Sequence, residues 1–117
     1  MKTLKIHLIR HGATDANYKG QYIGSKTDLP LSPEGLNELR MMKDDINYPE
    51  ITRLYSSPLL RAKQTGAVLY PDVPMFLVEN LKEYDFGEFE GKTAKELELN
   101  PDFKDWAAGK LSAPKGG

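Results

Sequence analysis

Short apolar segments and helix-start signals alternate along the 117 residues of this chain, and this alternation constrains the fold more than any other feature. Three segments have the length and composition of buried strands, at residues 4–9, 52–56 and 75–78. Strands that alternate with helices predict an α/β fold with a mostly parallel central sheet. Such sheets normally have more strands and helices on both faces, so we expect this one to be truncated at the C-terminus.

The predicted helices begin at recognisable caps. Residues 32–34, Ser-Pro-Glu, combine a cap, a proline suited to the first helical position and an acid beside the positive helix end, and this helix is predicted to reach about residue 45. Ser57-Pro58 predicts a second helix, to about residue 70. The capping box at 93–96 and the Asn100-Pro101 pair predict two further short helices.

Composition excludes several chemistries. The chain has no cysteine, which excludes disulfides, thiolate metal sites and a cysteine nucleophile. Its net charge of −1 gives no overall attraction to nucleic acid or to an anionic membrane, so an anion would have to be bound by local groups. No apolar run approaches the ~20 residues that cross a bilayer. The N-terminus has no cleavable signal pattern, so we expect a cytoplasmic protein.

Arg10, His11 and Gly12 follow the first predicted strand at its carboxyl end, where open α/β sheets bind their ligands. Arginine clamps planar anions, and histidine can act as a nucleophile, a base or an acid. One interpretation is an oxyanion site, and the other is a solvated Arg-His pair at a strand end. The polar connection that follows, residues 15–31, has a length that is usually functional or disordered.

Arg61 falls in the first turn of the helix that follows the second predicted strand. A helix N-terminus attracts anions, so a cation there is unfavourable unless an anion lies nearby. An exposed arginine paired with an acid is the alternative interpretation.

Acidic residues alternate with aromatic residues in the segment 81–91. A solvated acidic loop is the ordinary interpretation of such a segment. However, Tyr84, Phe86 and Phe89 are expected to anchor it against the core, and one carboxylate could then be fixed near the strand ends. A carboxyl group held beside two arginines could pass a proton to a leaving oxygen.

Three segments together resemble the histidine phosphatase superfamily, which has the phosphoglycerate mutase-like fold. They are LIRHGAT at 8–14, YSSPLLRAKQT at 55–65 and LKEYDFGEFEG at 81–91, with Asn17 six residues after His11. The spacing within the third segment is more similar to the phosphatase branch, including α-ribazole-phosphate phosphatases, than to the mutases. The resemblance implies a three-layer α/β/α architecture and a single, incomplete domain over residues 1–117.

Carried over residue by residue, the resemblance implies roles for seven residues. It makes His11 the nucleophile that forms a phosphohistidine, with Arg10 and Arg61 clamping the phosphoryl oxygens. It makes Glu83 the acid that protonates the leaving alcohol and then activates water. Substrate contacts are implied for Arg10, Asn17, Ile23, Gly24 and Arg61. The implied chemistry needs no metal and no cofactor.

The histidine count departs from the family pattern, which uses a second histidine in the phosphate pocket. The other histidine here is His7, and four extended residues place it about 13 Å from His11, too far to share one phosphate. We therefore expect His7 to be a packed or edge residue. We also expect the chain to be an N-terminal portion that has lost most activity when alone.

The expected function is hydrolysis of a small phosphomonoester, α-ribazole phosphate-like or of broad specificity. Mutase-type phosphoryl transfer and a non-catalytic phosphate-binding or interaction protein of the same fold remain the alternatives. A nucleotide-binding loop at Gly91-Lys92-Thr93 is disfavoured, because the required earlier glycine is displaced by one residue. An incomplete sheet should also expose apolar surface, including Leu59, Leu60 and Ala67, and this predicts self-association.

Overall fold

The computed structural model describes residues 3–117, and its sheet consists of two parallel strands. Strand β1 (Leu54–Ser56) pairs with β2 (Met75–Leu77), with Tyr55 opposite Phe76. Helix α3 (Leu60–Leu69) provides the crossover that parallel neighbours require. This arrangement confirms the predicted α/β fold with a parallel sheet.

Helix α2 (Pro33–Asp45) packs against α3 and forms the main core with it. Leu39 of α2, Leu69 of α3 and Leu31 just before α2 are buried together. The predicted cap is present, because the Ser32 hydroxyl accepts a hydrogen bond from Gly35 N at 2.9 Å. Both the start and the end of α2 therefore agree with the sequence prediction.

Shorter elements complete the chain. They are α1 (Asp15–Tyr18), two 3₁₀ turns (Glu79–Leu81 and Gly87–Phe89), α4 (Ala94–Leu97) and α5 (Pro101–Ala107). The capping box of α4 and the Asn100 cap of α5 form as predicted. Helix α1 was not predicted; it is a single turn inside the long polar connection, closed by a capping box between Thr14 and Asn17.

Aromatic side chains hold the acidic loop against the C-terminal helices. Phe89 is fully buried, and its ring lies 5.5 Å from Phe103 and 5.5 Å from Trp106. Phe86 contacts Tyr84 at 5.0 Å and Tyr22 at 5.3 Å, which joins this cluster to the 15–31 connection. The prediction that aromatic residues anchor this loop is confirmed for Phe89 and for half-buried Phe86, whereas Tyr84 is 44% exposed.

The prediction of a buried strand at residues 4–9 is wrong. These residues are extended but unpaired and exposed, and Leu8 has 95% of its surface accessible. A strand needs a neighbour, and no other strand within residues 3–117 lies beside this segment. His7 is likewise exposed rather than packed.

The apolar surface around the sheet agrees only partly with the prediction. Leu59 is buried, contrary to expectation, whereas Leu60 and Ala67 are exposed. The strand residues Tyr55 and Phe76 are about half exposed, at 55% and 46%. Among residues 3–117, no helix has the length and apolar character needed to cross a bilayer.

Candidate active site

His11 lies half-buried at the end of the extended N-terminal segment. Its ring nitrogen Nδ1 is 2.5 Å from the carbonyl oxygen of Gly12. A carbonyl oxygen can only accept a hydrogen bond, so this contact assigns the ring proton to Nδ1. In the neutral imidazole, the other nitrogen, Nε2, then holds the lone pair that a nucleophile or base requires.

A cleft of about 310 Å³ opens beside His11. Arg10, His11 and Asn17 line it from one side, and Gly35, Glu38, Leu39 and Met42 of α2 line it from the other. Thr14 donates to Asn17 Oδ1 from its backbone N at 2.8 Å and from its hydroxyl at 3.0 Å. The Asn17 oxygen is thus committed to the cap of α1, which leaves its amide nitrogen as the donor for a ligand.

Arg61 lies outside this cleft and is nearly inaccessible, with 1% of its surface exposed. Its guanidinium donates to the carbonyl oxygens of Thr27 at 2.6 Å and Gly24 at 3.1 Å. Burial lowers the pKa of Arg61, and the negative charge of Glu83, followed by the charges of Asp28 and Glu90, opposes that shift. The group remains charged because arginine starts from so high a pKa.

Residues 24–28, which we call the Arg61 loop, are held at both ends by carboxylates. Glu90 accepts three hydrogen bonds: from Gly24 N at 3.1 Å, Lys26 N at 3.3 Å and the Thr27 hydroxyl at 2.6 Å. Asp28 accepts from Leu60 N at 2.7 Å and so caps α3 from across the loop. This cap explains why α3 begins at Leu60 and not beside Ser57.

Gly24, which follows Ile23, packs the Arg61 loop against the acidic loop. Both residues are buried, and neither lines the cleft beside His11. A Cβ atom at Gly24 would lie 1.9 Å from the carbonyl oxygen of Tyr84, so only glycine fits there. The two loops are therefore closely packed at this point.

Glu83 is exposed on the acidic loop, and its Oε1 accepts from Tyr84 N at 3.3 Å. It is the strongest of the charges that act on Arg61. The structure thus groups Arg10, His11 and Asn17 around one cleft, and Arg61, Gly24 and Glu83 in a second cluster. Their catalytic and substrate-binding roles stay predictions.

Sequence reasoning did not single out three residues that organise these clusters, namely Asp28, Thr65 and Glu90. Glu90 is one of several acids in its loop, and the sequence feature that could have distinguished it is its position between Phe89 and Gly91. Thr65 lies one helical turn after Arg61, so it could have been expected on the same helix face. Within residues 3–117, no group of three or more histidine or acidic side chains is arranged to hold a metal ion.

The fold and the cleft define an α/β protein with a histidine and an arginine at the end of its first extended segment. The family model of the histidine phosphatase superfamily (branch 1) matches residues 6–117. The chain therefore belongs to this superfamily.

Individual relatives agree with that assignment. Sedoheptulose 1,7-bisphosphatase of Saccharomyces cerevisiae is 32% identical over 77% of this chain and 38% of its own length. Adenosylcobalamin/alpha-ribazole phosphatase of Salmonella typhimurium is 29% identical over 90% of this chain and 52% of its own. The crystal structure of phosphoserine phosphatase from Entamoeba histolytica, in complex with 3-phosphoglyceric acid, has a TM-score of 0.75 at 34% identity, covering 89% of this chain and 52% of that one.

The chain thus spans about half, or less, of the length of these relatives.

Proposed function

We propose that this chain carries the nucleophile of a phosphomonoester hydrolase that acts through a phosphohistidine. His11 Nε2 attacks phosphorus, the P–O bond to the alcohol breaks, and Glu83 protonates the departing oxygen. Water, activated by the Glu83 carboxylate, then attacks the phosphohistidine and releases phosphate and free His11. Arg10 and Arg61 bind the phosphoryl oxygens, and Asn17, Ile23 and Gly24 contribute to the substrate site.

One observation carries this proposal: the contact between His11 Nδ1 and the Gly12 carbonyl. In the neutral ring this contact places the lone pair on Nε2, in a residue that lines a cleft together with Arg10, a cation suited to a phosphate. The positive charge of Arg10 also favours approach of an anionic substrate to the His11 imidazole.

The proposed substrate is a small phosphorylated metabolite, either α-ribazole phosphate-like or one of a broad set. The names of the relatives, a sugar bisphosphatase and an alpha-ribazole phosphatase, support this class. The cleft volume of about 310 Å³ also suits a small ligand better than a macromolecule.

Rapid trapping of a radiolabelled phosphoenzyme tests the proposal. The chain is mixed with a ³²P-labelled small phosphomonoester and quenched in alkali, which preserves phosphohistidine. We expect label on the wild type and on His7→Ala, the matched control at the other histidine, and none on His11→Ala. Equal labelling of the two histidine variants would contradict the assignment of the nucleophile.

The fate of the label separates the alternatives. Release of labelled inorganic phosphate supports hydrolysis, and transfer to a second alcohol supports mutase-type chemistry. Binding of the ester without any label would overturn the proposal in favour of a phosphate-binding protein. We expect turnover by these 117 residues alone to be slow, because His7 is too far along the chain to supply a second imidazole to the phosphate.

A further inference from the structure

A buried hydroxyl connects the residue after His11 to helix α3. Thr65 is 5% exposed, and its Oγ1 accepts a hydrogen bond from Gly12 N at 2.9 Å. The same hydroxyl donates to the carbonyl oxygen of Arg61 at 2.7 Å. An N–H group can only donate and a carbonyl oxygen can only accept, so the direction of both bonds is fixed.

This connection is the first anchor of the chain after its exposed N-terminal segment. Within residues 3–117, no hydrogen bond holds the backbone of residues 3–11. Gly12 is the first residue whose backbone is held. Its N–H donates to Thr65, and its carbonyl oxygen accepts a hydrogen bond from the His11 ring. The orientation of one small residue therefore decides whether the carbonyl can reach Nδ1.

Packing alone does not fix Gly12 in this way. A Cβ at Gly12 would contact Leu31 at 3.2 Å and Leu39 at 3.5 Å, so apolar side chains surround the residue, but they do not define the rotation of its peptide groups. A directional hydrogen bond to the Gly12 N–H defines the rotation of the His11–Gly12 peptide, and so fixes the side of the Gly12 Cα from which the carbonyl extends. Thr65 provides it from a rigid position inside α3.

We propose that Thr65 is the positioning residue for His11, because it fixes Gly12 so that its carbonyl oxygen holds the ring proton on Nδ1. Loss of the hydroxyl leaves the half-buried Gly12 N–H without this partner. The His11–Gly12 peptide then rotates to find another acceptor, and the Gly12 carbonyl beyond the Cα turns with it. The His11 ring then loses its acceptor and returns to the tautomer mixture of an exposed histidine. The consequence for catalysis, but not for the tautomer, rests on the proposed function.

Two variants isolate the hydroxyl. Thr65→Val keeps the shape of the side chain and removes both hydrogen bonds, whereas Thr65→Ser keeps the hydroxyl. The readout is ¹⁵N-detected NMR of the two imidazole rings, with exposed His7 as an internal reference in every spectrum. In the wild type and Thr65→Ser we expect His11 as the Nδ1–H tautomer, and in Thr65→Val a shift toward the His7 pattern.

The outcomes decide the proposal without any substrate. A folded Thr65→Val in which His11 keeps the Nδ1–H signature overturns it, as does a wild-type His11 that already resembles His7. If Thr65→Val does not fold, the wild type and Thr65→Ser still test the proposal. Both must show a His11 tautomer different from that of His7 and a Gly12 amide protected from exchange, and the absence of either contradicts the proposal.

A separate measurement tests the consequence of Thr65 for catalysis. If the chain forms a phosphoenzyme, Thr65→Val should slow its formation by roughly tenfold or more with a smaller change in KM, and Thr65→Ser should recover the rate. An absence of labelling in all proteins, together with the expected tautomer shift, would contradict the proposed function and leave the role of Thr65 intact. Unchanged labelling in Thr65→Val would contradict its importance for the reaction.

Discussion

Several polar side chains in this protein are held in position mainly by hydrogen bonds to backbone groups. Arg61 illustrates this. Within residues 3–117 no carboxylate lies within salt-bridge distance of its guanidinium, which instead donates to two carbonyl oxygens of the Arg61 loop. Binding to a phosphate would exchange those contacts or add to them, since guanidinium offers five N–H donors. The position of the Arg61 loop is therefore coupled to the capacity of Arg61 to bind an anion.

Asp85 gives a prediction at the scale of one residue. Gly87 N donates to its carboxylate at 2.8 Å, and Lys26 Nζ lies 3.8 Å away. The backbone hydrogen bond from Gly87 is the main reason that the pKa of Asp85 is lowered from its usual 3.8, and nearby Glu90 and Lys26 act in the same direction. A lowered folded-state pKa means that the carboxylate stabilises the fold above the unfolded value, and that this contribution is lost as the pH falls through the folded value.

We therefore expect Asp85→Asn to lower the melting temperature at neutral pH, and the difference from wild type to shrink as the pH is lowered below about 4. Thermal unfolding followed by circular dichroism at a series of pH values measures this. Asp105→Asn, on the exposed face of α5, is the control and should track the wild type throughout. A difference that stays constant from neutral to acidic pH would rule out the titration of Asp85 as its cause.

At the scale of elements, Glu90 joins two loops that are far apart in sequence. Its carboxylate accepts three hydrogen bonds from residues 24–27, and Phe89 beside it is fully buried in the aromatic cluster. Removal of the carboxylate leaves two backbone N–H groups and a hydroxyl without their partner. Hydrogen bonds to a charged group contribute about 1.5–3 kcal/mol each, but partial exposure to water compensates part of that loss.

We expect Glu90→Ala to lower the free energy of unfolding by about 2 kcal/mol. Glu90→Gln should fall between Glu90→Ala and wild type, because its amide oxygen can still accept from Gly24 and Thr27 while its amide nitrogen faces the Lys26 N–H. Urea unfolding followed by the fluorescence of Trp106, which packs on Phe89, is the measurement. The matched control is Glu88→Ala, an exposed glutamate two residues away; a loss of equal size there would attribute the effect to net charge.

The elements that could be predicted from the sequence are those whose capping hydrogen bonds join residues close together in the chain. Helices α2, α4 and α5 begin at the expected caps, because Ser32, Thr93 and Asn100 bind backbone groups only two or three residues ahead. The cap of α3 comes from Asp28, 32 positions before Leu60, and no local pattern contains it. The same limit applies to the candidate site. Motif spacing singles out His11 and Arg61 as candidates, but the carbonyl groups around Arg61 depend on long-range loop contacts.

Residues 4–9 show this limit for strands. Their apolar pattern satisfies the requirements for a buried strand, but a strand forms only against a neighbouring strand. Strands β1 and β2 formed because helix α3 brings them side by side with Tyr55 against Phe76. Within residues 3–117 no element brings a strand beside residues 4–9.

At the scale of the whole molecule, the exposed N-terminal segment makes the chain less compact than its length would allow. The Cα radius of gyration is 16.6 Å, compared with about 13 Å for a domain of this size. Leu4, Ile6 and Leu8 are 84%, 77% and 95% exposed on this segment. An extended apolar segment with unpaired backbone groups is a template for pairing with another chain.

We therefore expect the 117-residue chain to self-associate through this segment. Sedimentation velocity over a concentration series should show oligomers in the wild type, and a triple serine variant at Leu4, Ile6 and Leu8 should shift the distribution toward monomer. The matched control replaces Met41 and Met42, which are 57% and 44% exposed on α2, and should leave the oligomers unchanged because helix α2 already satisfies its backbone. A wild type that remains monomeric at all concentrations, or a triple variant that associates as strongly, would show that these residues do not drive association.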